Sequence, residues 1–501
     1  MLISLLLAIV SGLLFAASFP DIGIGWMMFA AFLPLLIAVT RARGGGEAFL
    51  HGWVSQSVAW LIMVPWVIRV MSHYGGLPYF AGVLIFVAMA LVLGMYGGLF
   101  AWLVHRIRPR SLPAWLLVPL AWAAVEYLRT YFLTGFPWHL IATSIIDYPA
   151  LIQIDRFAGP YFVGALIMLP ATVAAWLITV RPPRVPAAFA IGGTVIVLFV
   201  WWATGLVASR LVIRPTGTPP KLAALLQPNI SQEMRWDSEN LYEIFQRMMD
   251  MSERAVAGGA TVVIWPESTV PLSYSSTDFY REAIESFSAR HGVDVILGSV
   301  AEAADDPTKL WNAAFLVSGG RTIGHYDKIR LVPFGEYVPL RKMLFFASKL
   351  VRAVGDFQFG TNESPLRGRF AYGPAICYEV VFPQITLTQV RNGADVLVTI
   401  TNDAWYDGTS APRQHLDQAR LRAIESDRYL LRAATTGISA VVDPSGRIVE
   451  ELPMGQAGII FAEFQEKTTV TPYVRFGDWF AWLAVVGSVW GVLWSWRRIE
   501  N

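Results

Sequence analysis

The sequence predicts a polytopic α-helical membrane bundle joined to an α/β layered domain. Three observations carry that expectation. The 501 residues are 55% hydrophobic and only 15% charged, with a mean hydropathy of +0.48, too apolar for a soluble globular chain of this length. Seven apolar runs fill the first 210 positions and an eighth lies near the C terminus, each close to the ~20 residues that cross a bilayer. From about Lys221 to Phe464 the pattern changes, and short β-rich runs alternate with polar amphipathic stretches.

The apolar runs fall at about 2–18, 22–40, 49–71, 77–104, 111–131, 157–180, 187–208 and 478–496. Turn or charge signals separate them, among them Pro20-Asp21, Arg41 to Glu47 and Arg106 to Arg110. The expected organisation is a seven-helix transmembrane region over 1–210, an exported domain over 221–466 and an eighth transmembrane helix over 478–496. Cationic loops resist translocation, and one alternating set of loops holds Arg41, Arg43, Arg106, Arg108, Arg110, Arg181 and Arg184, with Arg497 and Arg498 in the tail. The opposite set has only Arg156, which places both termini in the cytoplasm and 209–477 outside. The first run lacks a cationic leader and a second follows at once, so it reads as a retained helix rather than a signal peptide. Glu126 and Arg129 lie in the fifth run, three residues apart and able to pair on one helix face. Either they satisfy each other, or Arg129 holds a lipid phosphate near the outer boundary.

Within the exported domain, 222–227, 261–266, 293–300, 312–318, 369–377, 394–402 and 438–444 read as strands, several too apolar to have a solvent face. Helical patterns over 241–256, 278–291 and 412–434 fall between some of them. A net charge of +2 without a basic aromatic run argues against nucleic acid. A single cysteine excludes an internal disulfide. The seven histidines are scattered without metal-ligand spacing, so neither a metal nor another cofactor is expected.

Three ionisable residues stand at the ends of apolar strand-like runs: Glu267 in VVIWPES, Lys328 in DKIRLVPFGEYVP and Cys377 in AICYE. Chemistry gathers where the strands of open α/β sheets end. An ordinary thiol is only ~3% thiolate at neutral pH and needs a base or cation beside it. Glu267 can take the proton and Lys328 can stabilise thiolate and oxyanion, a unit charge at ~4 Å being worth about 4 kcal/mol at an effective dielectric of 20. Each residue alone also has a plain structural reading. The cysteine packs as a small hydrophobe, the glutamate opens a helix, and the lysine pairs with Asp327 in a solvated loop.

The order Glu, Lys, Cys in those strings resembles the nitrilase superfamily, whose Glu-Lys-Cys triad sits on an αββα sandwich. Eight spans together with GFPW at 135–138, LVPFGEYVPL at 331–340, ICYE at 376–379, TNDAW at 401–405 and TPYVRFGDW at 471–479 are similar to the apolipoprotein N-acyltransferase family of the bacterial inner membrane. The resemblance covers essentially the whole chain. It implies Glu267 as general base, Lys328 as oxyanion stabiliser and Cys377 as nucleophile. Glu336 matches the family's additional glutamate, Tyr378 and Glu379 support the site, and Trp236 in QEMRWD matches a tryptophan over the cleft that gates substrate. The implied reaction is ping-pong acyl transfer from a phospholipid, typically phosphatidylethanolamine, through a Cys377 thioester to the N-terminal amine of a diacylglyceryl-cysteine apolipoprotein. A monomer in the inner membrane, its catalytic domain on the periplasmic face, is expected to carry it out. The apolar segment 343–351 suits either a lid entering the headgroup region or ordinary core. A membrane-tethered amidase using water and a transporter with an exported binding domain are the rivals. The bundle favours a lipid substrate over the first, and the lack of repeats speaks against the second.

Overall fold

In the computed structural model each of the eight apolar runs is helical: Leu2–Ala17, Met28–Thr40, Gly45–Met63, Tyr79–Ile107, Leu117–Tyr131, Pro160–Val180, Arg184–Val212 and Trp479–Glu500. The structure describes residues 1–107, 109, 111–212, 219–236, 238–270, 273–303, 305–306, 308–337 and 357–500, the side chains of 236, 238 and 496–500 excepted. The expected lid at 343–351 lies outside the described residues.

Eight helices are not eight full-length spans. Among the described residues only Tyr79–Ile107, Pro160–Val180 and Arg184–Val212 are long and apolar enough to cross a membrane, and Gly45–Met63 with Trp66–Tyr74 makes a fourth if that pair, bent by 58°, is one span. Pro65 is the cause of the bend, because it lacks the N–H that would continue the helix. Leu2–Ala17, Gly25–Thr40 and Trp479–Ser495 are apolar but shorter. At 1.5 Å per residue a helix of this length reaches ~24 Å, against a hydrocarbon core of ~30 Å.

The chain divides into two compact units. Met1–His73, Leu77–Arg210 and Phe476–Asn501 form the first, Tyr74–Gly76 with Leu211–Arg475 the second. In the first unit small residues let helices approach closely. A Cβ on Gly97 would stand 2.6 Å from the carbonyl oxygen of Gly52 on the neighbouring helix. Arg129 donates to the carbonyls of Phe136 (3.0 Å), Trp138 (2.5 Å) and His139 (3.3 Å), and its guanidinium lies 5.1 Å from the Trp60 ring centroid. Glu126 pairs with Arg129 at 3.5 Å and accepts from the Ile141 N–H at 2.8 Å. Of the two readings of this pair, the geometry favours the structural one, a pin between the helix and the chain that follows it.

The second unit holds two six-stranded sheets. In the first, β1 (Lys221–Gln227), β2 (Val262–Ile264) and β3 (Asp294–Glu302) run parallel. β4 (Leu310–Ser318) and β5 (Arg321–Asp327) continue antiparallel on one side. The second sheet contains β6 (Leu366–Arg367), β7 (Ala371–Ile376), β8 (Val396–Thr401), β9 (Leu430–Ala434), β10 (Ser439–Val442) and β11 (Ile448–Leu452) in sequential order, with β7, β8 and β9 parallel. The last strand, β12 (Gly458–Phe464), returns to the first sheet and pairs with β1. Leu225, Ile264 and Ile296 of one sheet share a buried core with Ile376, Val398 and Leu431 of the other, so the sheets pack face to face. Helices Leu241–Ala257 and Asp278–His291 cover the outer face of the first sheet through Phe245, Met248, Ile284 and Phe287, while Pro383–Arg391 and Ala411–Ser426 pack on the second. The result is a four-layer αββα sandwich. Strands buried on both faces explain the near-continuous apolar runs of β2, β3, β7 and β8.

The helix expected over 412–434 ends at Ser426, because Asp427 turns left-handed at φ 57°, and its predicted C-terminal part is strand β9. Strands β5, β6, β11 and β12 were also outside the predicted set; RTIGHYD, IVEEL and GIIFAEF carry charged residues on a face that solvent reaches, and LR is only two residues long.

Candidate active site

Loops leaving the strand ends converge on one buried polar cluster. After β2 the chain runs on beside β3, with the Trp265 N–H donating to the Ile296 carbonyl at 2.8 Å and the Thr269 N–H to Gly298 at 3.1 Å, and Glu267 falls between them. Gly298 makes this approach possible, for a Cβ there would stand 2.6 Å from the Glu267 Cα and 2.8 Å from the Pro266 oxygen. Lys328 follows β5 directly, and its N–H returns to the Asn312 carbonyl of β4 at 2.8 Å. Cys377 follows β7 at φ 53° and opens a short 3-10 helix, Cys377–Val381. A left-handed backbone is uncommon outside glycine and worth a functional question. Ser268 and Phe334, beside Glu267 and Glu336, share it at 52° and 63°.

The side chains form a closed network. Lys328 Nζ lies 2.9 Å from Glu336 Oε1 and 3.3 Å from Glu267 Oε1. Asn312 Nδ2 donates to both of those oxygens, at 2.7 Å to Glu267 and 2.8 Å to Glu336. The Asn402 N–H closes on Glu267 Oε2 and the Val332 N–H on Glu336 Oε2, each at 2.8 Å. All are buried. Burial works to raise the pKa of Glu267, yet the Lys328 ammonium and the donors from Asn312 and Asn402 outweigh it and hold the carboxyl below its usual range. Burial likewise disfavours the charged Lys328, but Glu267 and Glu336 hold it well above the usual lysine value. Cys377 goes the other way from the sequence expectation of a lowered thiol pKa. Burial and the Glu267 charge push the thiol up, and Lys328 only partly offsets them. Burial and Glu267 thus both favour the neutral thiol over the thiolate.

Glu379 ties two of these elements together. Its Oε1 accepts from the Ile329 and Arg330 N–H groups at 2.5 and 3.0 Å and from the Tyr326 hydroxyl at 3.0 Å, while Oε2 accepts from the Ile376 N–H at 2.8 Å. It thus clamps the loop after Lys328 to the turn before Cys377. Burial pushes its pKa up to about 7, with the backbone N–H groups opposing. Tyr378 is buried with its ring edge-on to Phe382. Trp236 ends the short helix Gln232–Trp236, and its side chain lies outside the described residues. That helix docks through Gln232 Oε1, which accepts from Asn402 Nδ2 at 2.9 Å. Sequence reasoning missed Asn312 and Asn402. The signal for Asn312 was a lone polar residue inside the apolar strand LWNAAFLVS.

Such an arrangement brings a thiol within electrostatic reach of a carboxylate and an ammonium, a set of groups that suits attack on a carbonyl carbon with charge building on its oxygen. The chain is similar to known proteins along nearly its whole length. Residues 222–473 match the carbon-nitrogen hydrolase family, and residues 11–173 match the apolipoprotein N-acyltransferase N-terminal domain. An apolipoprotein N-acyltransferase of Geobacter metallireducens is 35% identical over 490 residues, covering 96% of this chain and 93% of the relative. One from Methylococcus capsulatus is 33% identical over 509 residues, covering 99% and 96%. Among solved structures, an amidase from Nesterenkonia sp. aligns with a TM-score of 0.38 at 21% identity, covering 51% of this chain and 92% of that one. With relatives of this identity matched along nearly its whole length, the chain belongs to the apolipoprotein N-acyltransferase family, acyltransferases that carry a carbon-nitrogen hydrolase domain.

Proposed function

We propose that this enzyme moves an acyl chain from a phospholipid to the N-terminal amine of a diacylglyceryl-cysteine lipoprotein through a thioester on Cys377. The observation that carries the reading is the buried Glu267, Lys328, Asn312 and Glu336 network acting on a neutral thiol whose backbone is turned to φ 53°. In the first half-reaction Sγ attacks the sn-1 ester carbonyl as its proton passes to Glu267. Lys328 neutralises the oxyanion, the C–O bond breaks, and Glu267 returns the proton to the departing glycerol oxygen. In the second, the neutral α-amine attacks the thioester and Glu267 takes an N–H proton. The C–S bond breaks and the proton goes back to sulfur. Glu336 holds Lys328 charged and in place throughout, Glu379 and Tyr378 keep the turn in shape, and Trp236 gates the cleft.

Both substrates are lipids, and keeping their chains out of water is worth about 0.8 kcal/mol per CH₂. In this reading all eight helices lie within the bilayer, those over 1–210 and 478–496 anchoring a catalytic domain over 221–466. The arginine asymmetry of the loops supports a periplasmic domain and cytoplasmic termini in a bacterial inner membrane. A monomer with phosphatidylethanolamine as donor completes the proposal. Intact-mass analysis of the detergent-solubilised protein mixed with phospholipid tests it. An acyl adduct should appear, persist until a diacylated lipopeptide is added, and be absent in Cys377→Ala. Loss of the adduct to water alone would favour a hydrolase, and no adduct at all would end the reading.

A further inference from the structure

A second buried cluster touches the nucleophile from behind and has no part in the steps above. His415, on the helix Ala411–Ser426, places Nε2 3.0 Å from the carbonyl oxygen of Cys377. A carbonyl can only accept, so Nε2 carries the hydrogen there, while Nδ1 lies 3.2 Å from Asp403 Oδ1. Arg432 Nη2 stands 3.0 Å from that Nδ1 and 2.7 Å from Asp403 Oδ2, one of its two hydrogens serving each. Asp403 is fixed in turn by the Thr401 hydroxyl at 2.8 Å. All three members are buried. Burial and the Arg432 charge hold the His415 pKa down, while Arg432 and His415 hold Asp403 below the carboxylate range against its own burial. The imidazole is therefore held in one orientation, with Nε2–H on the Cys377 carbonyl and Nδ1 against Asp403 and Arg432.

Cys377 needs such a hold. Its left-handed backbone is disfavoured for any residue with a Cβ, and relaxation of this turn to ordinary negative φ would swing the Cα–Cβ bond and redirect the sulfur. The Glu379 bond to the Ile376 N–H fixes the chain before the cysteine. The carbonyl side is fixed by His415.

We propose that His415 is a positioning residue for acyl transfer: its Nε2–H grips the Cys377 carbonyl and, braced by Arg432 and Asp403, locks the left-handed turn that aims the sulfur. The proposal rests on the thioester reading, yet its test separates the two. The full-length protein is compared with His415→Gln, whose amide nitrogen reaches where Nε2 lies, and His415→Asn, whose amide mimics only the Nδ1 side. Three quantities are measured: the single-turnover rate of the acyl adduct, the KM for phospholipid, and the rate at which iodoacetamide alkylates Cys377. His415→Asn should slow acylation roughly 10- to 100-fold with KM unchanged, because a small misplacement of a reacting atom has that effect. His415→Gln should recover most of the rate. Iodoacetamide alkylation should follow the same order, and it needs no acyl donor, so it decides on His415 even if the wild-type protein forms no adduct. A wild-type rate in His415→Asn, or a folded His415→Gln as slow as His415→Asn, overturns the proposal.

Discussion

Replacing Glu267 by glutamine should make Cys377 more reactive toward a small alkylating agent while nearly abolishing acyl transfer. Burial is the first cause of the raised thiol pKa and the Glu267 charge the second, with Lys328 pulling in the opposite direction. Glutamine keeps the shape and an oxygen for the Asn312 amide, which lies 2.7 Å from the present carboxylate, at the cost of an N–H turned toward the Asn402 N–H, and it removes the negative charge. A unit charge at ~4 Å is worth about 4 kcal/mol at an effective dielectric of 20, or about three pKa units. Lys328 remains charged through Glu336 at 2.9 Å, so the thiol pKa falls and the thiolate fraction rises about tenfold for each unit at pH values below it. The assay is the alkylation rate by iodoacetamide, read by intact mass near neutral pH, beside the acyl-transfer rate of the same preparation. Alkylation should rise at least tenfold, and transfer should fall by roughly 10²- to 10⁴-fold because no group is left to move the proton. Equal or slower alkylation in Glu267→Gln would refute the reasoning, for it would mean that the carboxylate does not hold the thiol protonated.

Glu336→Gln cannot serve both of its sides, because one oxygen accepts from Lys328 and Asn312 and the other from the Val332 N–H. One donor must then face another at about 1–3 kcal/mol, seen as a lower melting temperature with transfer slowed more than about tenfold. Gly298→Ala puts a Cβ 2.6 Å from the Glu267 Cα, and should destabilise by about 1–3 kcal/mol and cut acylation far more than it cuts binding of phospholipid, read from kcat and KM. Stability should vary with pH on both sides of a plateau. Glu267 and Asp403 lie below their ordinary 4.5 and 3.8, so their contribution is present above those values and is lost as pH falls through the folded ones. Lys328 lies above 10.5, so its contribution is full below that pH and is lost as pH rises through its folded value. Denaturation midpoints of the full-length protein should fall in acid and in strong alkali, and Lys328→Met should flatten the alkaline side.

Most of the scaffold was legible because burial on both faces leaves a plain mark: β3, β7 and β8 are apolar runs with no polar alternation. The helix Asp278–His291 was visible in its bounds, its N-terminal acid and following glycine marking both ends. The helix Ala411–Ser426 hid its nature. Its Arg422, Glu425 and His415 are polar residues within an amphipathic stretch, yet they are buried in the fold, with Arg422 paired to Glu425. Hydropathy treats a charge as a mark of the surface, and only the partners, distant in sequence, reveal it as interior. His415 was one of seven scattered histidines in a search for metal spacing, whereas its partners Asp403 and Arg432 lie on other elements. The membrane helices illustrate the opposite failure. An apolar run tells that a segment is buried in something greasy, but a proline at position 65 decides whether the helix is straight.

The charge balance of the site explains why these hidden residues matter. Glu267 and Glu336 share the Lys328 ammonium. Arg235 is the next cation whose charge bears on Glu267; burial draws its own pKa down and Glu267 draws it back up. It rides on the five-residue helix Gln232–Trp236, and that helix is tied down by the Gln232 bond to Asn402, the residue whose N–H also holds Glu267 Oε2. A single asparagine therefore couples the placement of the base to the placement of the cation that weakens it. If the helix moves outward, Glu267 loses an opposing positive charge and becomes a stronger base. The basicity of Glu267 thus depends in part on a short segment outside the Glu267, Lys328 and Cys377 set.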